Sequence, residues 1–203
     1  MHNYFLQLVT DDRIDDLPDL ISEAISAGVT SIQLRNKHAD KLRLYQIGKE
    51  ISVLLKPKKI PLIINDHIDL ALALDADGVH IGQTDLPYPV VRKMLGKNKI
   101  IGLSIQTLEQ AIKAKKMMVD YFGIGPVFPS STKTDTSAIG LKALQEITQH
   151  LQRPCIAIGG IEIENVQSVL SHGAHGIAVV SGICASSNPK LSISHYIREL
   201  IHA

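Results

Sequence analysis

The chain is 203 residues long, 45% hydrophobic and 20% charged, which is enough for one sizeable core and too apolar for a disordered polymer. Its 21 basic and 20 acidic residues leave a formal net charge of +1. That balance excludes a global positive field for a nucleic-acid backbone or an anionic membrane, so basic side chains matter locally or not at all.

Tyr4-Phe5-Leu6-Gln7-Leu8-Val9 opens the chain as a first strand, expected over 4–9, and Thr10-Asp11-Asp12 follows it with no glycine. The run is too short for a secretory leader. No apolar run reaches the length needed to cross a bilayer, so a reducing cytoplasm is the expected location. Cys155 and Cys184 sit in or beside apolar runs without metal-ligand spacing and read as small buried hydrophobes.

Gly28 closes the first helical stretch, and the second strand is expected over 30–35. The helix after it carries Leu44, Ile47, Gly48, Ile51, Leu54 and Leu55 on one continuous face, with Asp40 as N-cap and Pro57 at its exit. Further strands are expected over 61–65, 77–81, 99–103, 120–124, 154–158 and 175–180, each followed by a helix-period stretch. Thr107 to Gln110 has the pattern of a capping box, and Gly173 marks the end of the seventh helix. Runs such as Leu62-Ile63-Ile64 and Ile156-Ala157-Ile158 are apolar throughout, as when both faces of a parallel sheet are covered. Eight βα units without a glycine-rich first turn predict an α/β fold, a single (β/α)8 TIM barrel over residues 1–203.

A parallel barrel gathers the C-terminal ends of its strands onto one face, and the unusual polar residues of this chain cluster at those ends. Gln33-Leu34-Arg35-Asn36-Lys37 ends the second strand, Asn65-Asp66 the third, Gly82-Gln83-Thr84-Asp85 follows the fourth, and the fifth ends at Ser104. Asp66 and Asp85 leave successive strands and can converge on a hard divalent cation such as magnesium that also touches substrate oxygens; the alternative is that they cap the following helices. Arg35 and Lys37 beside such a metal suit a pyrophosphate, though the same pair also suits a solvated surface.

Gly125 to Ser137 is a long polar loop of the kind that closes over barrel sites, with Ser130, Ser131 and Thr132 as phosphate-binding hydroxyls and Lys133 as a mobile charge. Ile158-Gly159-Gly160-Ile161 and Val179-Val180-Ser181-Gly182 follow the last two strands, where many barrels hold phosphate. Of the nine histidines, His80 and His67 could approach the site, though a structural role is favoured for both.

These stretches together resemble the thiamine-phosphate synthase/TenI family over nearly the whole chain. The matching motifs are Gln33 to Lys37, Asn65-Asp66, Gly78 through Asp85, Gly102-Leu103-Ser104, Gly123 through Lys133, Ala157 through Ile161 and Ala178 through Ser181. The resemblance implies a magnesium-dependent transferase that joins a hydroxymethylpyrimidine diphosphate to a thiazole phosphate, giving thiamine monophosphate and pyrophosphate. By that resemblance Gln33, Arg35, Lys37, Asn65, Ser104 and Lys133 hold the pyrimidine diphosphate, with Leu34 and Asn36 in the same stretch. Arg35, Lys37, Ser104 and Lys133 act on the departing group, and Asp66 and Asp85 ligate magnesium. Ser130, Ser131, Thr132, Gly160, Val180 and Ser181 hold the thiazole phosphate.

Three positions depart from the family's usual wording: Asn36 replaces an acidic residue, Ser130-Ser131 replaces threonine and proline, and Gln106 stands where relatives often carry histidine. A TenI-type thiazole tautomerase needs no pyrophosphate clamp, and a non-catalytic barrel that binds a phosphorylated metabolite is the alternative of another class. Small-molecule substrates are the expected partners, with no nucleic acid and no membrane; a homo-oligomer stays open.

Overall fold

The computed structural model describes residues 5–11, 17–130 and 137–202. Eight parallel strands close into a barrel in sequence order: β1 (Leu6–Val9), β2 (Ser31–Leu34), β3 (Leu62–Asn65), β4 (Gly78–Ile81), β5 (Ile100–Ile105), β6 (Tyr121–Ile124), β7 (Cys155–Ile158) and β8 (Gly176–Val179). The helices are α1 (Leu17–Ala27), α2 (Lys41–Leu55), α3 (Ile68–Ala73), α4 (Tyr88–Leu95), α5 (Leu108–Ala114), α6 (Gly140–Thr148), α7 (Val166–Ser171), α8 (Ser181–Cys184) and α9 (Pro189–Ile201). The barrel expected from the βα alternation is therefore the fold observed.

Local signals act as their chemistry requires. Asp40 accepts from the Arg43 N–H at 2.8 Å and starts α2, which turns Leu44, Gly48, Ile51 and Leu55 to the wall. Thr107 and Gln110 form the reciprocal capping box of α5. Strand ends fall within two residues of expectation. At the C-terminal ends the largest shift is at β5, which runs on to Ile105, so that Ser104 lies inside the strand and pairs with Gly123.

Each strand divides its side chains between two environments. Leu8, Ile32, Ile64, Val79, Ile101 and Phe122 face outward into one continuous apolar layer beneath the helices. The inward face carries a much smaller apolar cluster of Val9, Tyr121, Ile156 and Ala178. Polar side chains share that interior: Gln7, Ser31, Gln33 and His80 are all buried. Cys155 is buried and Cys184 half-buried, neither in a disulfide, and burial pushes the Cys155 thiol up to about 12. No helix among the described residues is long and apolar enough to cross a membrane.

Candidate active site

The C-terminal mouth of the barrel opens into a pocket with two unlike walls. Gln7, Gln33, Asn65, His80, Ser104 and Tyr121 make the polar wall; Val9, Ile156, Ile158, Ala178 and Val180 make the apolar one. Arg35 and Ser130 stand at the rim. Arg35 is held by its backbone: its N–H donates to Thr10 Oγ1 at 2.9 Å, and the same hydroxyl donates to the Arg35 carbonyl at 2.9 Å. The β1–β2 ladder thus extends one step beyond the strands and fixes where the guanidinium starts.

A second pocket adjoins the first through Asn65 and is bordered by Lys37, Asp66 and His67, with Asn36 at its edge. Asp66 has a left-handed backbone, φ 60°, and its N–H donates to the His80 carbonyl at 2.9 Å. Asp85 closes its own loop by accepting from the Gly82 N–H at 2.6 Å. Neither carboxylate caps a helix, since α3 begins after His67 and α4 after Pro87. The Asp66 carboxyl is held above its ordinary value of 3.8, first by burial and then by the facing charge of Asp85, while Asn65 and Lys37 pull the other way. The two carboxylates read from the sequence as a converging pair do converge.

Other expected residues divide. Gln33, Arg35, Asn65, Ser104, Ser130 and Val180 gather around the main pocket. Leu34 is packed into the outer layer, 2% exposed, and forms part of the apolar back of the second pocket with Leu44 and Ile64. Asn36 spends its side-chain oxygen on a local turn, accepting from the His38 and Ala39 N–H groups at 2.9 and 2.8 Å. Gly160 and Ser181 stand one residue beyond the pocket-lining Gly159 and Val180. Ser131, Thr132 and Lys133 lie outside the described residues.

The glycine pair after β7 has a packing cause alongside any ligand. Val127 and Phe128 donate to the Ile158 and Gly159 carbonyls at 2.9 and 3.0 Å, bringing the loop after β6 down onto this turn. A Cβ on Gly160, whose φ is 62°, would lie 2.6 Å from the Pro129 carbonyl oxygen. Tyr196 of α9 is buried and donates to the Ile161 carbonyl at 3.1 Å, which anchors the far end of the same turn.

Sequence reasoning missed Gln7 and Tyr121; for His80, which it allowed could approach the site, it favoured a structural part, and the structure places His80 on the pocket wall. The signal was present: Gln7 lies between Leu6 and Leu8 and Gln33 between Ile32 and Leu34, polar residues at the inward positions of otherwise apolar strands.

A closed parallel barrel whose mouth joins an arginine, a lysine, an acidic pair and glycine-bearing turns after its last two strands belongs with the phosphate-handling (β/α)8 barrels. Residues 6–183 match the family model described as thiamine monophosphate synthase. A thiamine-phosphate synthase of Alkaliphilus oremlandii is 43% identical over 191 residues, covering 93% of this chain and 91% of its own. One from Vibrio campbellii is 41% identical over 204 residues, covering 99% and 100%. Among solved structures, a thiamine phosphate pyrophosphorylase from Pyrococcus furiosus superposes with a TM-score of 0.89 at 34% identity, over 98% of this chain and 96% of that one. The chain belongs to the thiamine monophosphate synthase family. The likeness of a geranylgeranylglyceryl phosphate synthase from Thermoplasma acidophilum, TM-score 0.75 at 15% identity, shows the fold alone.

Proposed function

We propose that the chain is a transferase that condenses 4-amino-5-hydroxymethyl-2-methylpyrimidine diphosphate with hydroxyethylthiazole phosphate, releasing pyrophosphate and forming thiamine monophosphate. The observation that carries this reading is the meeting of Asp66 and Asp85 beside Lys37, next to a pocket with one polar and one apolar wall. A flat heteroaromatic ring with a charged tail needs both kinds of surface. The full-length likeness to thiamine-phosphate synthases supports the same assignment.

In this reading the methylene carbon–oxygen bond breaks with its electron pair leaving on the pyrophosphate, and the thiazole nitrogen lone pair forms the new carbon–nitrogen bond. Positive charge develops on the pyrimidine and negative charge on the leaving group, so catalysis is a matter of holding fixed charges and donors at the right places. Arg35 and Lys37 face the diphosphate, and Ser104 donates to it from β5. Gln33 and Asn65 orient the pyrimidine, and the apolar wall excludes water from the electron-poor intermediate. The nitrogen is already nucleophilic, and the polar residues of the mouth need supply no strong base.

Magnesium fits the acidic pair: Asp66 is raised first by burial and then by the charge of Asp85, and two such carboxylates gain by sharing a cation. Bound there, the ion would neutralise the departing diphosphate, drawing its remaining ligands from water and substrate oxygens. The thiazole phosphate falls to the turns after β7 and β8, with Gly160, Val180, Ser181 and Ser130. The parts given to Ser131, Thr132 and Lys133 rest on sequence resemblance. Small-molecule partners and a cytoplasmic setting follow from the same reading.

The test is direct. Purified protein given both substrates and magnesium is expected to yield thiamine monophosphate and pyrophosphate in equal amounts by mass spectrometry, with turnover lost in chelator and restored by added magnesium. Conversion of the thiazole phosphate alone, without condensation, would instead make the chain a tautomerase.

A further inference from the structure

His80 occupies a slot built for an imidazole. In register it lies beside Gly102 of β5, which in turn lies beside Tyr121 of β6. A Cβ on Gly102 would come 2.5 Å from His80 Nδ1, and one on Gly123 would come 2.8 Å from His80 Cε1, so the ring fits because two strands carry glycine where it crosses them. Both nitrogens are engaged: Nδ1 is 2.9 Å from the Tyr121 hydroxyl and Nε2 is 2.8 Å from Ser104 Oγ. Beyond Tyr121 the connection continues to Gln7, whose Nε2 lies 3.5 Å from the phenol oxygen, and from Gln7 Oε1 to Gln33 Nε2 at 3.0 Å.

The order of donors along this chain follows from its two ends. At one end Gln33 donates to the Gln7 oxygen, which leaves Gln7 presenting its N–H groups to Ser31 and Tyr121. The phenol oxygen then accepts and its own proton goes to His80 Nδ1; burial raises the Tyr121 phenol above its ordinary value and keeps that proton in place. An imidazole that accepts at Nδ1 carries its hydrogen on Nε2 and donates to Ser104. At the other end, a pyrophosphate oxygen has no hydrogen to give, so a serine hydroxyl that meets it must donate. Both ends require the same direction of donation through His80.

We propose that His80 is a positioning residue: locked by Tyr121 in its Nε2–H tautomer, it donates to Ser104 Oγ and so commits the serine proton to the leaving pyrophosphate. The inference rests on the diphosphate-transfer reading above. It also assigns a task to the barrel interior, where Gln33, Gln7 and Tyr121 set a tautomer that is used only at Ser104. A histidine present for packing alone would be indifferent to which nitrogen carries the hydrogen.

The deciding experiment is a double-mutant cycle over His80 and Ser104, read both as turnover and as binding of inorganic pyrophosphate with magnesium by calorimetry. Ser104→Ala is expected to lower kcat by about 100-fold, the scale for losing one donor to developing charge, and His80→Phe by about 10- to 100-fold. The double variant should be no worse than Ser104→Ala, with KM for the thiazole phosphate unchanged throughout. His80→Gln, which keeps a donor near the Nε2 position, should recover most of the loss. In the unmodified protein, 15N spectra of the imidazole should show the hydrogen on Nε2, and Tyr121→Phe should redistribute it. Losses that multiply in the double variant, or a wild-type spectrum with the hydrogen on Nδ1, would overturn the proposal. Non-additive pyrophosphate binding in a protein that makes no thiamine monophosphate would sink the transferase reading and leave the positioning role standing. Should His80→Phe fail to fold, the wild-type spectrum and the His80→Gln variant still decide.

Discussion

Ile32 and Gln33 are neighbours on β2, yet they belong to different regions of the molecule. Ile32 faces out into the apolar layer that runs unbroken between the barrel wall and the helices. Gln33 faces in, where it donates to Gln7 and borders the pocket. The outer layer is made of interchangeable hydrophobes and supplies stability by area. The inner one holds few apolar contacts and a directed series of hydrogen bonds, which supplies geometry. One strand therefore serves two purposes, divided by the two-residue repeat of its side chains.

Substitutions on the two faces should separate these purposes. Ile32→Ala removes a fully buried side chain from the outer layer and is expected to cost about 2–5 kcal/mol of unfolding free energy in denaturant titrations, with little change in turnover per folded molecule. A loss of specific activity matching the loss of stability would mean that the faces are not independent. Gly102→Ala adds a single methyl to the inner face, against His80 and Tyr121. The cost in stability should be smaller, about 1–3 kcal/mol. Turnover should fall well beyond that of Ile32→Ala, because the imidazole must leave its place between Tyr121 and Ser104. Equal activity in the two variants would break the contrast.

The outer face was legible in the sequence and the inner face only in part, and the reason is physical. Apolar residues repeating every second or every third to fourth position reveal a buried surface without reference to the rest of the chain. That is why the eight strands, the inward stripe of α2 and the cap at Asp40 were all read correctly. Residues at strand ends were legible too, since a closed parallel barrel brings those ends together whatever their sequence separation. That placed Arg35, Asn65 and Ser104 around one pocket and Asp66 beside Asp85.

The meaning of His80, Gly102 and Gly123 depends on register. Taken separately they are a strand histidine and two strand glycines, and only the pairing of His80 with Gly102 and of Ser104 with Gly123 turns them into a slot and its contents. Ser104 was read as the end of β5 because a polar residue after an apolar run resembles a terminus. Inside a barrel it is an inward position facing a pocket, and the strand continues to Ile105. The glycines after β7 were read for phosphate approach, but loop packing against Phe128 and Pro129 also demands glycine at Gly160.

The acidic pair gives the smallest expected change in stability, and its sign is opposite to the others. Asp66 is held above its ordinary value of 3.8 by burial and by Asp85, so ionising it works against the metal-free fold. Asp66→Asn removes one of the two charges, keeps the shape, and suits the left-handed backbone at this position, which asparagine tolerates better than most residues. Because the folded value is raised, the favourable contribution of protonated Asp66 is complete below its unfolded value and is lost as pH rises through the folded value. In chelator, the variant should therefore melt at the same temperature as the parent in acid and about 1–3 °C higher near neutrality, a gain kept small by partial exposure of the pair. Magnesium should raise the parent's melting temperature more than the variant's and narrow that gap, while turnover falls sharply in the variant alone. A difference between the two proteins that stays flat with pH in chelator would mean that the carboxylates do not oppose one another. The pair would then lack the repulsion that makes it a natural seat for a cation.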